Sequence, residues 1–231
     1  MTILDKIAFT PDPEGLLQQL HVRAESGLAV EILALLDRAA PLARPKAVFD
    51  EAFIDARGED TVTIAGVTFT SHVLSENLAE VERVFPYVAT CGVELDALLE
   101  GMDDEFLRFG LDCIKQASLS TAINFLNEHL AESYGLTKSA QMNPGSGDVD
   151  VWPIEEQAPL FSLFGDVEAL IGVTLTESFL MCPNKSVSGI VFPTEVDFVT
   201  CQLCHREGCP NRRAPFDEDL WMLKHGTAAP R

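Results

Sequence analysis

Three thiols fall within nine residues near the C-terminal end: Cys201-Gln202-Leu203-Cys204-His205-Arg206-Glu207-Gly208-Cys209, followed by Pro210. In this C-x2-C-x4-C spacing a single turn can bring the first two sulfurs to one side. Gly208 permits the tight backbone that such a loop needs. Thiolates ligate both zinc and iron–sulfur clusters, and a Cys-Pro pair closes many iron–sulfur ligand runs. A metal centre needs a fourth ligand. Cys182, also followed by a proline in a turn, is the first candidate and His205 the second. Ligation by Cys182, Cys201, Cys204 and Cys209 favours an iron–sulfur cluster, with four irons before two; ligation through His205 favours zinc. Free or disulfide-forming thiols are the third reading, the disulfides disfavoured by a reducing cytoplasm. Cys91 and Cys113 lie on apolar segments and read as core residues.

The elements that must position these residues follow from periodicity. Asp12-Pro13-Glu14 opens a helix carrying Leu16, Leu17 and Leu20, and a second helical stretch runs from Leu28 to Leu36 until Pro41 and Pro45 interrupt it. From Val48 to Thr70 the branched residues read as strands, with Gly66 at a hairpin turn. Ser71 to Val84 reads as helix, Phe85 to Thr90 as a short buried strand, and Leu95 to Tyr134 as a long buried helix broken near Gly101 and stopped by Gly135. Asp103-Asp104-Glu105 reads as the start of that helix and not as a catalytic pair. Met142 to Asp150 is a loop, and a short helix starts after Trp152-Pro153. Thr174–Thr176, Val187–Phe192 and Val196–Thr200 read as strands.

Composition narrows the function classes. The chain has 231 residues, 47% of them hydrophobic, enough for a sizeable core. It carries 36 acidic against 16 basic residues, a net charge of −20, which disfavours nucleic acid and anionic membranes as partners. No apolar run approaches the ~20 residues of a membrane span, and no secretory signal is visible, so the expected location is the cytoplasm. The acidity is confined to the first 200 residues; from Cys201 onward there are five basic and four acidic residues. The expected division is residues 1–200, with roughly the first 70 a candidate separate lobe, and a Cys-rich tail over 201–231. No Walker loop, dinucleotide fingerprint or nucleophile elbow is present. His21, His72, His129 and His225 have no partner motif and read as surface residues. Arg212, Arg213 and the acids near Trp221 read as a docking surface or a packed tail.

The block Leu175-Thr176-Glu177-Ser178-Phe179-Leu180-Met181-Cys182-Pro183-Asn184-Lys185-Ser186-Val187-Ser188-Gly189-Ile190-Val191-Phe192 follows the pattern L-T-E-S-F-x-M-x-P-x-x-S-V-S-G-x-x-F without a gap. Upstream, Asn143-Pro144-Gly145 and Trp152-Pro153 follow a second pattern, R-x-x-P-G-Y and then a W-P pair. On these residues the chain resembles the activation domain of cobalamin-dependent methionine synthase. The resemblance implies an α+β domain, a twisted antiparallel sheet with flanking helices. It also implies binding of S-adenosylmethionine and its presentation to a cobalamin partner during reductive reactivation, in which the cofactor carries the chemistry. Candidate ligand contacts are Asn143, Gly145 and Ser146 in the loop, and Glu177, Ser186 and Ser188 in the block. The competing readings are a turn-fixing hydrogen bond for Glu177 and a solvated strand face for the two serines.

Three positions depart from the pattern. Gln141 stands where the family has an arginine suited to a carboxylate, and Ser146 where it has a tyrosine; a neutral amide lacks the charge-assisted strength. Cys182 replaces a common aromatic residue, in a chain that also carries three tail cysteines. The expected function is therefore an accessory protein for reductive activation of a corrinoid methyltransferase. It would dock on the corrinoid-bearing partner, or on a methionine synthase core, and supply an electron from an iron–sulfur cluster. The alternative is a zinc-stabilised S-adenosylmethionine-binding or docking subunit of a split methionine synthase, without redox activity.

Overall fold

Strand β1 (Thr2–Leu4) is followed by two helices whose starts are chemically marked: α1 (Pro13–Gln19) and α2 (Gly27–Ala39). Asp12 Oδ1 accepts from the Gly15 amide at 3.0 Å and Ser26 Oγ from the Ala29 amide at 3.2 Å. Each such cap contributes about 1 kcal/mol by satisfying an amide that the helix cannot. Strands β2 (Lys46–Phe49), β3 (Ala52–Arg57), β4 (Thr61–Ile64) and β5 (Val67–Thr70) come next, β4 and β5 joined at Ala65-Gly66, both at positive φ. Then follow α3 (His72–Asn77), β6 (Arg83–Thr90) and, beyond a 3-10 turn over Glu94–Leu99, the long α4 (Glu105–Tyr134). The remaining elements are β7 (Ser139–Met142), α5 (Gln157–Ser162), α6 (Val167–Ile171), β8 (Thr174–Leu175), β9 (Met181–Cys182), β10 (Ser186–Pro193) and α7 (Glu218–His225). The computed structural model describes residues 1–147, 150–195, 198–209 and 212–225.

Eight strands form one antiparallel sheet around β6. Along one edge β6 pairs first with β3, at Val84↔Ala52, and then with β2, from Tyr87↔Phe49 to Thr90↔Lys46. Along the other edge it pairs with β10, from Val191↔Phe85 to Ser186↔Thr90, and β10 in turn carries β7. Pro86 is tolerated in this central strand because its nitrogen falls where the pairing passes from β3 to β2. There its carbonyl still accepts from the Asp50 amide at 3.1 Å. The first 70 residues thus contribute β1–β5 to the same sheet as β6, β7 and β10.

Alternation sorts the two faces. Phe85, Tyr87, Ala89 and Val191 pack against Leu119, Ala122, Leu126 and Leu130 of α4. On the opposite face Val84, Met142, Ile190 and Phe192 pack with Phe69, Leu74, Trp152, Leu203 and Trp221. The N-terminal half of α4, through Leu111 and Ile114, is covered by α1 and α2. Asp104 caps α4 by accepting from the Phe106 and Leu107 amides, and Gly135, at φ 69°, ends it. No helix among the described residues is long and apolar enough to cross a membrane.

Three sequence expectations need correction. The helix expected over Ser71–Val84 stops at Asn77, because Arg83 and Val84 are drawn into the central strand by pairing with β3. Strand β7 carries no alternating signal of its own and exists because β10 offers it an edge, Met142↔Ile190 to Ser139↔Pro193. Of the strand expected over Val196–Thr200, residues 196 and 197 lie outside the described set. Phe198 and Val199 are not in a strand, and Thr200 opens a 3-10 turn that ends at Leu203.

Gly189 is the tightest point of β10. A Cβ there would overlap Asn143 Nδ2 and the Met142 carbonyl, and would lie 3.1 Å from Tyr87 Cε1. Gly189→Ala is therefore expected to cost about 1–3 kcal/mol of unfolding free energy through overpacking. Urea unfolding checks this; a variant as stable as the parent would show that the β7–β10 spacing relaxes freely.

Candidate functional site

A chain of polar side chains runs across β6, β10 and β7 in an otherwise apolar sheet. Because Gly189 leaves a gap, Asn143 reaches across β10 and donates through Nδ2 to Tyr87 Oη at 2.7 Å and to the Ser188 carbonyl at 2.8 Å. Tyr87 Oη, already accepting from Asn143, donates its proton to Gln141 Oε1 at 3.4 Å. Ser188 Oγ points to the other face and donates to Gln157 Oε1 at 3.0 Å. Asn143, Gln157 and Ser188 are all buried. Burial pushes the Tyr87 phenol up to about 12, although the Asn143 hydrogen bond and the positive charge of Arg213 act the other way.

The loop after β7 is held from within. The Gly145 amide donates to the Trp152 carbonyl at 2.8 Å and the Ser146 amide to the Asn143 carbonyl at 3.0 Å. Gly145 adopts φ 76°, and a Cβ would stand 3.0 Å from Ile154, so a glycine is required on both counts. The backbone donors of Gly145 and Ser146 are thus spent inside the loop, and the Asn143 side-chain amide is spent on the sheet. Ser186 Oγ bonds Thr90 Oγ1 at 2.9 Å and the Pro183 carbonyl at 2.8 Å, while Glu177 is exposed in the turn between β8 and β9. Ser188 lies at 1% exposure, so the solvated strand face expected for the two serines is a packed one. The six candidate contacts therefore do not converge: Asn143 and Ser188 meet, Gly145 and Ser146 adjoin them, and Glu177 and Ser186 lie elsewhere.

The tail folds onto the edge and far face of the sheet. Leu203 and Trp221 are buried there beside Trp152 and Phe192, and the His205 ring stacks 4.2 Å from Phe216 and 4.6 Å from Trp221. The loop that carries the cysteines is wound around Arg212. Its guanidinium donates to the carbonyls of Cys201 at 3.2 Å, Ala214 at 3.1 Å, Cys204 at 2.9 Å and Arg206 at 2.7 Å. Burial raises the Cys201 thiol, but hydrogen bonds from the Arg213 backbone and guanidinium, with its charge, outweigh this and bring it below the ordinary value.

Cys182 does not join this loop. It stands before the first residue of β10, whereas the tail packs beside Phe192, roughly 20 Å further along the strand at ~3.3 Å per residue. Cys182 instead opens on a cavity of about 440 Å³ with Asp96, Asp112, Lys115 and Asn184. In that cavity Lys115 Nζ, buried on α4, donates to Asp96 at 2.6 Å and to Asn184 Oδ1 at 2.7 Å. Among the described residues no three His, Cys, Asp or Glu side chains come together as a metal site would require. The sheet thus holds Cys182 away from Cys201, Cys204 and Cys209, and among the described residues these four expected ligands do not come together.

A cleft of about 200 Å³ opens at the β7 edge between α4 and the tail, lined by Asn127, Ser139, Gln141, Val199 and Arg213 among others. Thr200 Oγ1 closes its base by donating to the Gln141 carbonyl at 3.4 Å. Tyr87, Gln157, Lys115 and the placement of Arg213 at this cleft had no local signal. Each depends on a partner 30 or more residues away or on the opposing strand. With Tyr134→Phe leaving Tyr87 the single phenol, phenolate absorbance is expected to rise only above pH 10, toward about 12. The folded state holds that proton more tightly than the unfolded chain. Stability is therefore unaffected below pH 10 and falls as pH rises through 10 to 12. A phenolate signal centred at 10 in the folded variant would contradict this burial.

Residues 124–209 match the family described as vitamin B12 dependent methionine synthase, activation domain. That stretch begins inside α4, takes in β7, the Asn143–Gly145 loop and β10, and ends at Cys209. No curated protein matches the chain. Among solved structures it is similar to a crystal structure of the MetH reactivation domain bound to AdoHcy. The identity is 18%, the TM-score 0.57, and the match covers 85% of this chain and 76% of that one. In sequence pattern over residues 124–209, and in its mixed α+β fold over most of its length, the chain resembles the activation domain of vitamin B12 dependent methionine synthase.

Proposed function

We propose that the chain binds an S-adenosyl ligand at the β7 edge and presents it to a corrinoid-bearing partner, as an activation module of a cobalamin-dependent methyltransferase. The observation that carries this reading is the activation-domain pattern over residues 124–209, which builds the edge where Gln141, Val191 and the tail enclose a cleft. The MetH reactivation domain with this fold is itself bound to AdoHcy. The donors that line the cleft, amides from Asn127 and Gln141 and a guanidinium from Arg213, suit the polar end of such a ligand. The corrinoid belongs to the partner and supplies the methyl-transfer chemistry there. This chain's own contribution is to hold the methyl donor and to keep the β7 edge in register through the Asn143 crossing. The acidity of the chain, a net charge of −20, suits a basic docking face on the partner. No electron-delivery step is assigned to the tail, whose sulfurs and Cys182 do not form a common centre.

Titration calorimetry with S-adenosylhomocysteine and S-adenosylmethionine tests the reading. Binding on the order of micromolar is expected. Gln141→Ala should weaken it several-fold, and Ser186→Ala, near the opposite end of β10, should leave it unchanged. No heat and no thermal stabilisation with either compound would overturn it.

A further inference from the structure

Among the residues lining the cleft at the β7 edge, Arg213 is the one that carries a charge. It does not come from the strand or its loop. The tail delivers it, and the delivery is fixed by its neighbour: the Arg212 guanidinium donates to four backbone carbonyls of the same loop, which locks the chain direction one residue before Arg213. Phe198 and Val199 also line the cleft, and Thr200 bonds the Gln141 carbonyl, so the tail is anchored on both sides of the opening. Arg213 lines the cleft with its side chain still exposed to solvent, and its charge acts on the buried Tyr87 hydroxyl.

The polar chain across the sheet sets the chemistry of the opposite wall. Asn143 donates to Tyr87 Oη, so Tyr87 must donate onward, and it does so to Gln141 Oε1. That bond occupies the acceptor of the Gln141 amide and leaves its NH2 group as a donor on a cleft-lining residue. A fixed NH2 donor and a guanidinium, with no acidic side chain in the lining, make a site for a planar anion. The guanidinium also bonds the Cys201 sulfur, and it carries five N–H donors in all.

We propose that Arg213 and Gln141 form a carboxylate site, in which the tail supplies the cation and the strand the neutral donor. Resting on the function proposed above, the site takes the amino-acid carboxylate of the S-adenosyl ligand. The arginine expected at position 141 from the family pattern is thus replaced in space by one 72 positions later in the chain.

Calorimetric titration of S-adenosylhomocysteine and of methylthioadenosine, the same thioether nucleoside without the amino-acid end, tests this on the full chain. Arg213→Gln is expected to weaken S-adenosylhomocysteine roughly 10- to 100-fold, the range of a charge-assisted hydrogen bond. It should leave methylthioadenosine unchanged, and Arg213→Lys should restore part of the loss. Unchanged tryptophan fluorescence in each variant verifies that Trp221 and the tail remain docked. Equal affinity of Arg213→Gln and parent for S-adenosylhomocysteine overturns the carboxylate site and leaves the proposed function standing. Equal weakening of both ligands also overturns it, since the loss would not be carried by the carboxylate. Failure of the parent to bind either compound overturns the proposed function, and this site with it.

Discussion

The hydrogen bond from Asn143 to the Tyr87 hydroxyl, made across the bare backbone of Gly189, is the contact on which the site depends. A buried phenol and a buried amide each cost several kcal/mol to remove from water, and they are retained here because each satisfies the other. The crossing joins β7, β10 and β6 laterally, so the loop from Asn143 to Gly145 cannot move without opening the sheet. It also orients Tyr87 and, through it, the amide of Gln141. A hydrogen-bond direction settled in the core is in this way handed to the edge of the sheet. There the same side chain meets solvent and the tail.

The sheet imposes a second constraint, which decides the fate of the cysteines. Its faces are both covered, by α4 on one side and by α3, α5, α6 and the tail on the other. The tail docks beside Trp152 and Phe192, at one end of β10, while Cys182 precedes the other end, beside Asp112 and Lys115 of α4. A rigid strand separates the two. Within the tail, the guanidinium of Arg212 draws four backbone carbonyls together. Three aromatic rings, His205, Phe216 and Trp221, complete this small core. The cationic tail and the acidic body are thereby joined by burial as well as by charge.

The match over residues 124–209 covers the elements that build the β7 edge. The likeness to a MetH reactivation domain extends over most of the chain at low identity, which conveys the fold and leaves ligand chemistry to the side chains present. Here an amide stands on the strand, and a cation from the tail lines the same cleft.

Much of the architecture was legible because it rests on local physics. Asp104 and Gly135 bound α4 through amide capping and a left-handed residue, and Gly66 marks the β4–β5 hairpin. The block from Leu175 to Phe192 carries its resemblance in contiguous residues. Strand β7, the end of α3 at Asn77 and the burial of Ser188 were not legible, since each depends on which strand lies alongside and no residue within hearing of the backbone specifies that. The separation of Cys182 from Cys201, Cys204 and Cys209 was equally hidden, because spacing along a chain limits distance only over a turn or two. By itself the sequence determined the helices with their caps, the hairpin, the acidic charge and the activation-domain pattern. Only the tertiary structure decided which donors face the cleft, because strand register and the docking of the tail bring Gln141 and Arg213 together across 71 intervening residues.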